Sequence, residues 1–185
     1  IKGEHTQVSG SLARSSVYGQ EAMRQARYLL GSAAMGSGWG TYGNDRNLPY
    51  TPPGYPTWWY DEYSVKRTAG TAASIADTTG RYVGWLGTPS GAPIKITSGT
   101  GSGCYVRLFK YGRVVVNPKS DTLTYKSGLT ALKKITGVMD PTTNNGQVGT
   151  AFKMPAYSAL FLLNTNASTP KTSRSFLDIL IGVFR

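Results

Sequence analysis

The residues best suited to chemistry stand together at Trp58-Trp59-Tyr60-Asp61-Glu62-Tyr63, where four aromatic rings and two carboxylates fill six consecutive positions. Flat rings lie against the apolar C–H faces of a sugar while carboxylates accept its hydroxyl protons, so these six residues are the sugar-binding candidates. The same composition admits a simpler use. The run Pro52-Pro53-Gly54-Tyr55-Pro56 stiffens the approach, the loop folds back, its rings plug one end of a core, and Asp61 and Glu62 face water. Glycoside hydrolysis needs two carboxylates held about 5 to 9.5 Å apart. Sequence neighbours in an extended strand point to opposite faces, so Asp61 and Glu62 suit each other poorly, although either could pair with Asp45 or Asp77.

Other chemistries fail on residue count. His5 is the only histidine and sits in a polar arm, and there is no G-x-S-x-G elbow for a serine nucleophile. Cys104 stands alone, which excludes an intrachain disulfide and a cysteine-rich zinc site and suggests a small buried residue. No metal-ligand set and no cofactor motif is present. Gly38-Trp39-Gly40-Thr41-Tyr42-Gly43 spells G-x-G-x-x-G, but a helix precedes it and a proline-rich loop follows. A dinucleotide site needs a strand before and a helix after. Asn166-Ala167-Ser168 is a formal glycosylation acceptor.

The net charge of +11 favours anionic partners such as nucleic acid, acidic polysaccharide or a charged surface. The basic residues are scattered, with Lys66-Arg67 and Lys133-Lys134 the closest groupings, which reads first as a generally basic exterior. No apolar run of about 18 residues offers a membrane span. A start at Ile1 suggests processing, a fragment, or a sequence read from a map.

A length of 185 residues with 23 glycines, 10 prolines and few charges predicts one domain of short strands and many turns, with appendages. Residues 1–14 form an extended arm. Residues 15–81 hold a helix and the aromatic loop. Tyr18, Ala22, Ala26, Leu29, Leu30 and Ala33 recur three and four apart over Ser16–Met35, with Gln20, Arg24 and Arg27 on the other faces, Ser15 or Ser16 as N-cap and the glycines from Gly36 as the stop. Gly36 to Tyr63 is a long irregular loop, and residues 68–80 are small and polar, a surface excursion.

Residues 82–163 predict a β-sandwich. Strands are expected at Tyr82–Leu86, Ile94–Ile96, Tyr105–Phe109, Arg113–Asn117, Asp121–Tyr125, Ala131–Ile135, Gln147–Lys153 and Ser158–Leu163, with turns at Asp140-Pro141 and Asn144-Asn145-Gly146. Lys110-Tyr111-Gly112 makes a hairpin of the third and fourth. The fold expected is mainly β: an antiparallel sandwich or jelly-roll-like domain with one N-terminal amphipathic helix.

Residues 164–185 are a linker and an apolar tail, in which Phe176, Leu177, Ile179, Leu180, Ile181, Val183 and Phe184 require burial. Packing in the chain's own core meets that need. So does insertion into a second copy, which makes these residues the assembly candidates and copies of the chain its expected partner.

Several motifs in order carry a family resemblance. They are Leu29-Leu30 followed by the Gly-rich stretch around Tyr42, then Trp58-Trp59-Tyr60-Asp61-Glu62-Tyr63, then Gly84-Trp85-Leu86-Gly87-Thr88-Pro89-Ser90-Gly91, then Arg107-Leu108-Phe109 with Gly112-Arg113-Val114-Val115-Val116-Asn117-Pro118, and finally Asp140-Pro141 through Asn145-Gly146 and Met154-Pro155 through Leu163. Over about residues 22–163 the chain resembles the C-terminal part of hypothetical glycosyl hydrolases that join a (β/α)₈ barrel to a small β-domain. The matched part corresponds to the last barrel helix, the loop over the barrel mouth and the β-domain. In such enzymes the barrel strands supply the catalytic carboxylates. With most of the barrel absent, the apolar tail and the extended N-terminal arm point to a non-catalytic β-sandwich, extracellular or at the cell surface, reused for self-assembly as a fibre or coat subunit, for glycan binding, or for both. The alternatives are the C-terminal portion of a glycoside hydrolase whose barrel is missing and, from charge, a structural protein that binds polyanions or nucleic acid.

Overall fold

The computed structural model describes residues 20–36, 60–67, 74–77 and 79–165. The N-terminal arm with His5, the capping serines Ser15 and Ser16, Trp58 and Trp59, and the whole apolar tail lie outside the described residues.

Helix α1 spans Gln20–Met35. Met23, Ala26, Arg27 and Gly31 are buried, and Leu30 and Ala34 pack with them against a sheet, a stripe spaced three and four apart. This inner face is turned by about one residue from the one expected through Leu29 and Ala33. A count of apolar residues skips Gly31 and Arg27, yet both point inward. Gly31 lets the helix touch the sheet, since a methyl there would overlap Cβ of Ala159 and lie 3.2 Å from Val116 Cγ2. At the other end Arg107 Nη1 donates to the carbonyls of Ala34, at 3.0 Å, and of Gly36, a cation on the negative end of the helix.

The strands are β1 Val65–Arg67, β2 Ser74–Ala76, β3 Ile94–Lys95, β4 Tyr105–Phe109, β5 Gly112–Asn117, β6 Leu123–Lys126, β7 Leu132–Lys134, β8 Val148–Gly149, β9 Ala151–Met154 and β10 Ser158–Asn164. Six form one sheet in the order β3-β4-β5-β10-β7-β8, while β1 pairs with β2 and β6 with β9, and every one of these ladders is antiparallel. The described chain is thus mainly β with one N-terminal helix.

Strand β10 is central and buried along Ser158–Leu163, as its unbroken apolar run implies. Ala159, Phe161 and Leu163 join Val114, Val116, Ile135, Val65 and Trp85 under the helix. Leu160 and Leu162 alternate to the opposite face, where Val115, Tyr125, Leu132, Phe152 and Met154 form a second core beneath β6 and β9. Each such buried side chain contributes about 1.5–3 kcal/mol. Cys104 is fully buried in this second core, and burial pushes its thiol up.

Three expectations are corrected. Tyr82–Leu86 is a series of turns with a single bridge, Ser64 to Val83, because Gly84 and Gly87 both take φ +73° and bend the chain. Gln147–Lys153 divides at Thr150 into β8 and β9, which belong to different sheets. The stretch 68–80, expected as a surface excursion, contains β2, whose Ala76 is buried against β1.

Candidate functional site

Asp61, Glu62 and Tyr63 form a single 3₁₀ turn between Tyr60 and β1. That tight turn, at the end of the stretch expected as an irregular loop, swings both carboxylates to one side. Asp61 is 1% exposed and Glu62 is 6% exposed, so they face neither solvent nor opposite directions.

The loop 137–144 wraps around Asp61. Its Oδ1 accepts the backbone N–H groups of Val138 and Met139, both at 2.9 Å, and its Oδ2 accepts Asp140 N–H at 2.9 Å and Asn144 Nδ2 at 3.1 Å. Four donors fill a carboxylate's principal acceptor positions. The loop also closes on itself, Gly137 N–H donating to Asn144 O at 2.6 Å and Asn144 N–H to Asp140 O at 2.9 Å. Gly137 is needed for the approach, because a side chain there would strike Asp61 Oδ2.

Glu62 shares this centre. Its Oε1 accepts Asn144 Nδ2 at 2.8 Å and lies 3.4 Å from Arg27 Nη1, and its backbone carbonyl accepts Trp85 Nε1–H at 2.8 Å. Arg27, 4% exposed, reaches down from α1 to Asp140 Oδ2 at 2.7 Å and to Thr143 Oγ1 at 3.2 Å. Asp140 Oδ1 accepts Gln20 Nε2 at 3.2 Å and Thr143 N–H at 3.1 Å. Helix, 3₁₀ turn and loop are therefore joined through one buried polar cluster of three carboxylates, a guanidinium and an amide.

The electrostatics differ from acid to acid. Burial holds Glu62 above the usual carboxylate range, with the charge of Arg27 opposing and that of Asp61 reinforcing the shift. Burial also pushes Asp140 up, but Arg27 and the hydrogen bonds to its carboxylate outweigh it and leave the group below its ordinary value. Tyr63 is raised by burial and by Glu62, and Lys134 is lowered chiefly by burial.

The sequence-predicted candidates divide accordingly. The Tyr60 ring is 4% exposed, packs with Met23 and Ala26, and meets Tyr63 edge-on at 5.5 Å. Tyr60, Asp61 and Glu62 are thus committed to the interior, while Tyr63 is half-buried. Asp77, a possible second acid, instead accepts hydrogen bonds from Ser64, Thr79 and the Arg81 N–H. Asp45 and the assembly candidates Phe176 to Phe184 lie outside the described residues. Among the described residues no group of histidine, cysteine or carboxylate side chains is arranged to hold a metal ion.

A cavity of about 200 Å³ lies beside the cluster, between the first half of α1 and the start of β10. Gln20, Arg24, Arg27, Thr143, Pro155 and Leu160 are among its lining, and neither Asp61 nor Glu62 reaches it.

Sequence reasoning missed Arg27, Asp140 and Asn144 as members of the cluster. The first sits on the apolar stripe, three residues before Leu30, and the other two have the appearance of turn punctuation. No family model, curated protein or solved structure matches this chain.

Proposed function

We propose that this chain is a non-catalytic β-module that binds glycan through the Trp58-Trp59 segment and associates with copies of itself. The burial of Asp61 and Glu62 carries this reading. A general acid or base must reach the atom whose proton it moves, whereas both carboxylates are buried, Asp61 accepting four donors of the 137–144 loop and Glu62 Oε1 meeting Asn144 and Arg27. What they provide is a fixed anchor directly after Trp58-Trp59 in the chain. Anchoring a loop beside its contact residues lowers the ordering cost of binding. Exposed apolar side chains support the association half: Leu129 is fully exposed at a turn, and Ile94 and Val148 are 58% and 51% exposed on the two edge strands of the main sheet.

The test is a glycan-affinity panel paired with reducing-sugar release. The expected result is binding without release, with Trp58→Ala lowering affinity roughly tenfold and leaving the melting temperature unchanged. Sugar release that disappears in Asp61→Asn or Glu62→Gln, while the fold persists, is the result that overturns the non-catalytic reading.

A further inference from the structure

Between Lys95 and Lys153 the chain carries nine Lys and Arg residues and only two carboxylates, Asp121 and Asp140. Asp140 is 1% exposed and already paired with Arg27, so Asp121 is the one carboxylate of this stretch left at the surface. Lys133 and Lys134 are buried too, so seven cations and one carboxylate of this stretch stand outside the core.

Four of these seven lie on the β6–β9 side of the main sheet. In β6 and β9 alternate residues Tyr125, Phe152 and Met154 point into the second core, which turns Lys126 and Lys153 to solvent. Thr124 stands opposite Lys153 and Lys126 opposite Ala151, so the two lysines are diagonal neighbours with small side chains between them. Lys119 reaches over Gly103, next to the buried Cys104 of the same core. Arg113 stands opposite Leu162 on the same side of the sheet. Its Nη1 donates to Tyr125 Oη at 2.9 Å, while its Nε is buried and meets no hydrogen-bond acceptor. Among the described residues no carboxylate lies within ion-pair distance of these four cations.

We infer that the outer face of β6 and β9, with Lys126 and Lys153 and with Lys119 beside Gly103, is a docking surface for an acidic polysaccharide, Arg113 lying beneath it against Tyr125. Three lysines with no carboxylate partner among the described residues complement a chain of regularly spaced sulfate or carboxylate groups. The described aromatic residues of these two strands, Tyr125 and Phe152, turn inward, so the face offers no ring on which a nucleobase stacks. All three cations of the face are lysines, which act as point charges and do not supply the forked donors that read base edges. The choice of polysaccharide also rests on the glycan-binding reading above, but the surface itself does not depend on Trp58.

The experiment compares dextran sulfate with plain dextran on the full chain, across a salt series. Dextran sulfate binds and plain dextran does not bind at this face. Lys126→Glu with Lys153→Glu lowers affinity roughly tenfold or more and flattens the log–log salt slope by about two, with no change in the thermal melt. A control, Lys66→Glu with Arg81→Glu, removes the same charge from exposed positions on the helix side of the sheet and has a much smaller effect. Equal losses from the two pairs overturn the proposal, because net charge rather than this face is then the cause. Failure of dextran sulfate to bind overturns it too, as does tighter binding of duplex DNA through the same two lysines. Trp58→Ala separates the two proposals: it lowers neutral-glycan affinity roughly tenfold if that reading holds and leaves dextran sulfate binding intact.

Discussion

Arg27 is the side chain on which the buried cluster turns, since its guanidinium reaches Glu62, Asp140 and Thr143 from the helix. Removing one partner from a buried ionic group is far costlier than replacing the whole group, because the charges left behind have lost their water and their counter-ion. Arg27→Met is therefore expected to lower unfolding free energy by about 3–5 kcal/mol in urea titration. Glu62 behaves in the opposite way. Its folded carboxyl is held above its unfolded value, so its stabilising contribution is complete below the ordinary glutamate range, near 4.5, and is lost as pH rises through the folded value. Asp140 is held below its ordinary value, so its contribution is present above 3.8 and is lost as pH falls through the folded value. Glu62→Gln should consequently raise the midpoint of thermal unfolding at pH 8 by about 2–4 °C, roughly 1 kcal/mol for a chain of this size. The gain should shrink toward zero as the pH approaches 4.5, and calorimetry at three pH values measures both limbs. A variant equally stabilised at every pH would show that Glu62 is ionised throughout.

At the scale of elements, the contact of α1 with β10 depends on Gly31. Alanine in a helix interior is intrinsically better than glycine by about 1 kcal/mol. Here the added methyl meets Ala159 on the central strand, flanked by β5 and β7, where overpacking costs about 1–3 kcal/mol. Overpacking wins, and Gly31→Ala is expected to destabilise by about 1 kcal/mol in chemical denaturation, whereas Ser32→Ala on the exposed face should be neutral or slightly stabilising. Gly31 also explains what was legible beforehand. Strands β4, β5 and β10 were readable because their apolar residues bury on both faces of one sheet, and hydropathy alone locates such runs. The helix was readable over Gln20–Met35, but its inner face was displaced because a glycine and an arginine, neither counted as apolar, are buried on it. Tyr82–Leu86 looked like a strand because Trp85 is buried, yet its indole is held by the Glu62 carbonyl rather than by a ladder partner. The aromatic and acidic composition of 60–63 was plain in the sequence. Its direction was not, because the four donors that capture Asp61 lie more than 75 residues further along the chain.

For the whole molecule, association is the proposed property that a single measurement reaches most directly. Both edges of the six-stranded sheet are two-residue strands, and short edges limit uncontrolled pairing along their own length. An apolar segment supplied by another copy suits such edges better than a second sheet does, since one strand adds its hydrogen bonds and its alternate side chains together. Residues 176–184 have the composition for that role, with seven large apolar side chains in nine positions. Truncation after Thr165 keeps all of β10 and both cores, so the shortened chain should retain its cooperative melt. Multi-angle light scattering is expected to give an assembly for the full chain and a monomer for the truncated one. Leu129→Glu, at a fully exposed turn, should weaken the assembly only if that turn belongs to the same contact. A full-length chain that remains monomeric at millimolar concentration removes self-association from the proposal and leaves the glycan-binding half to stand on the Trp58 measurement.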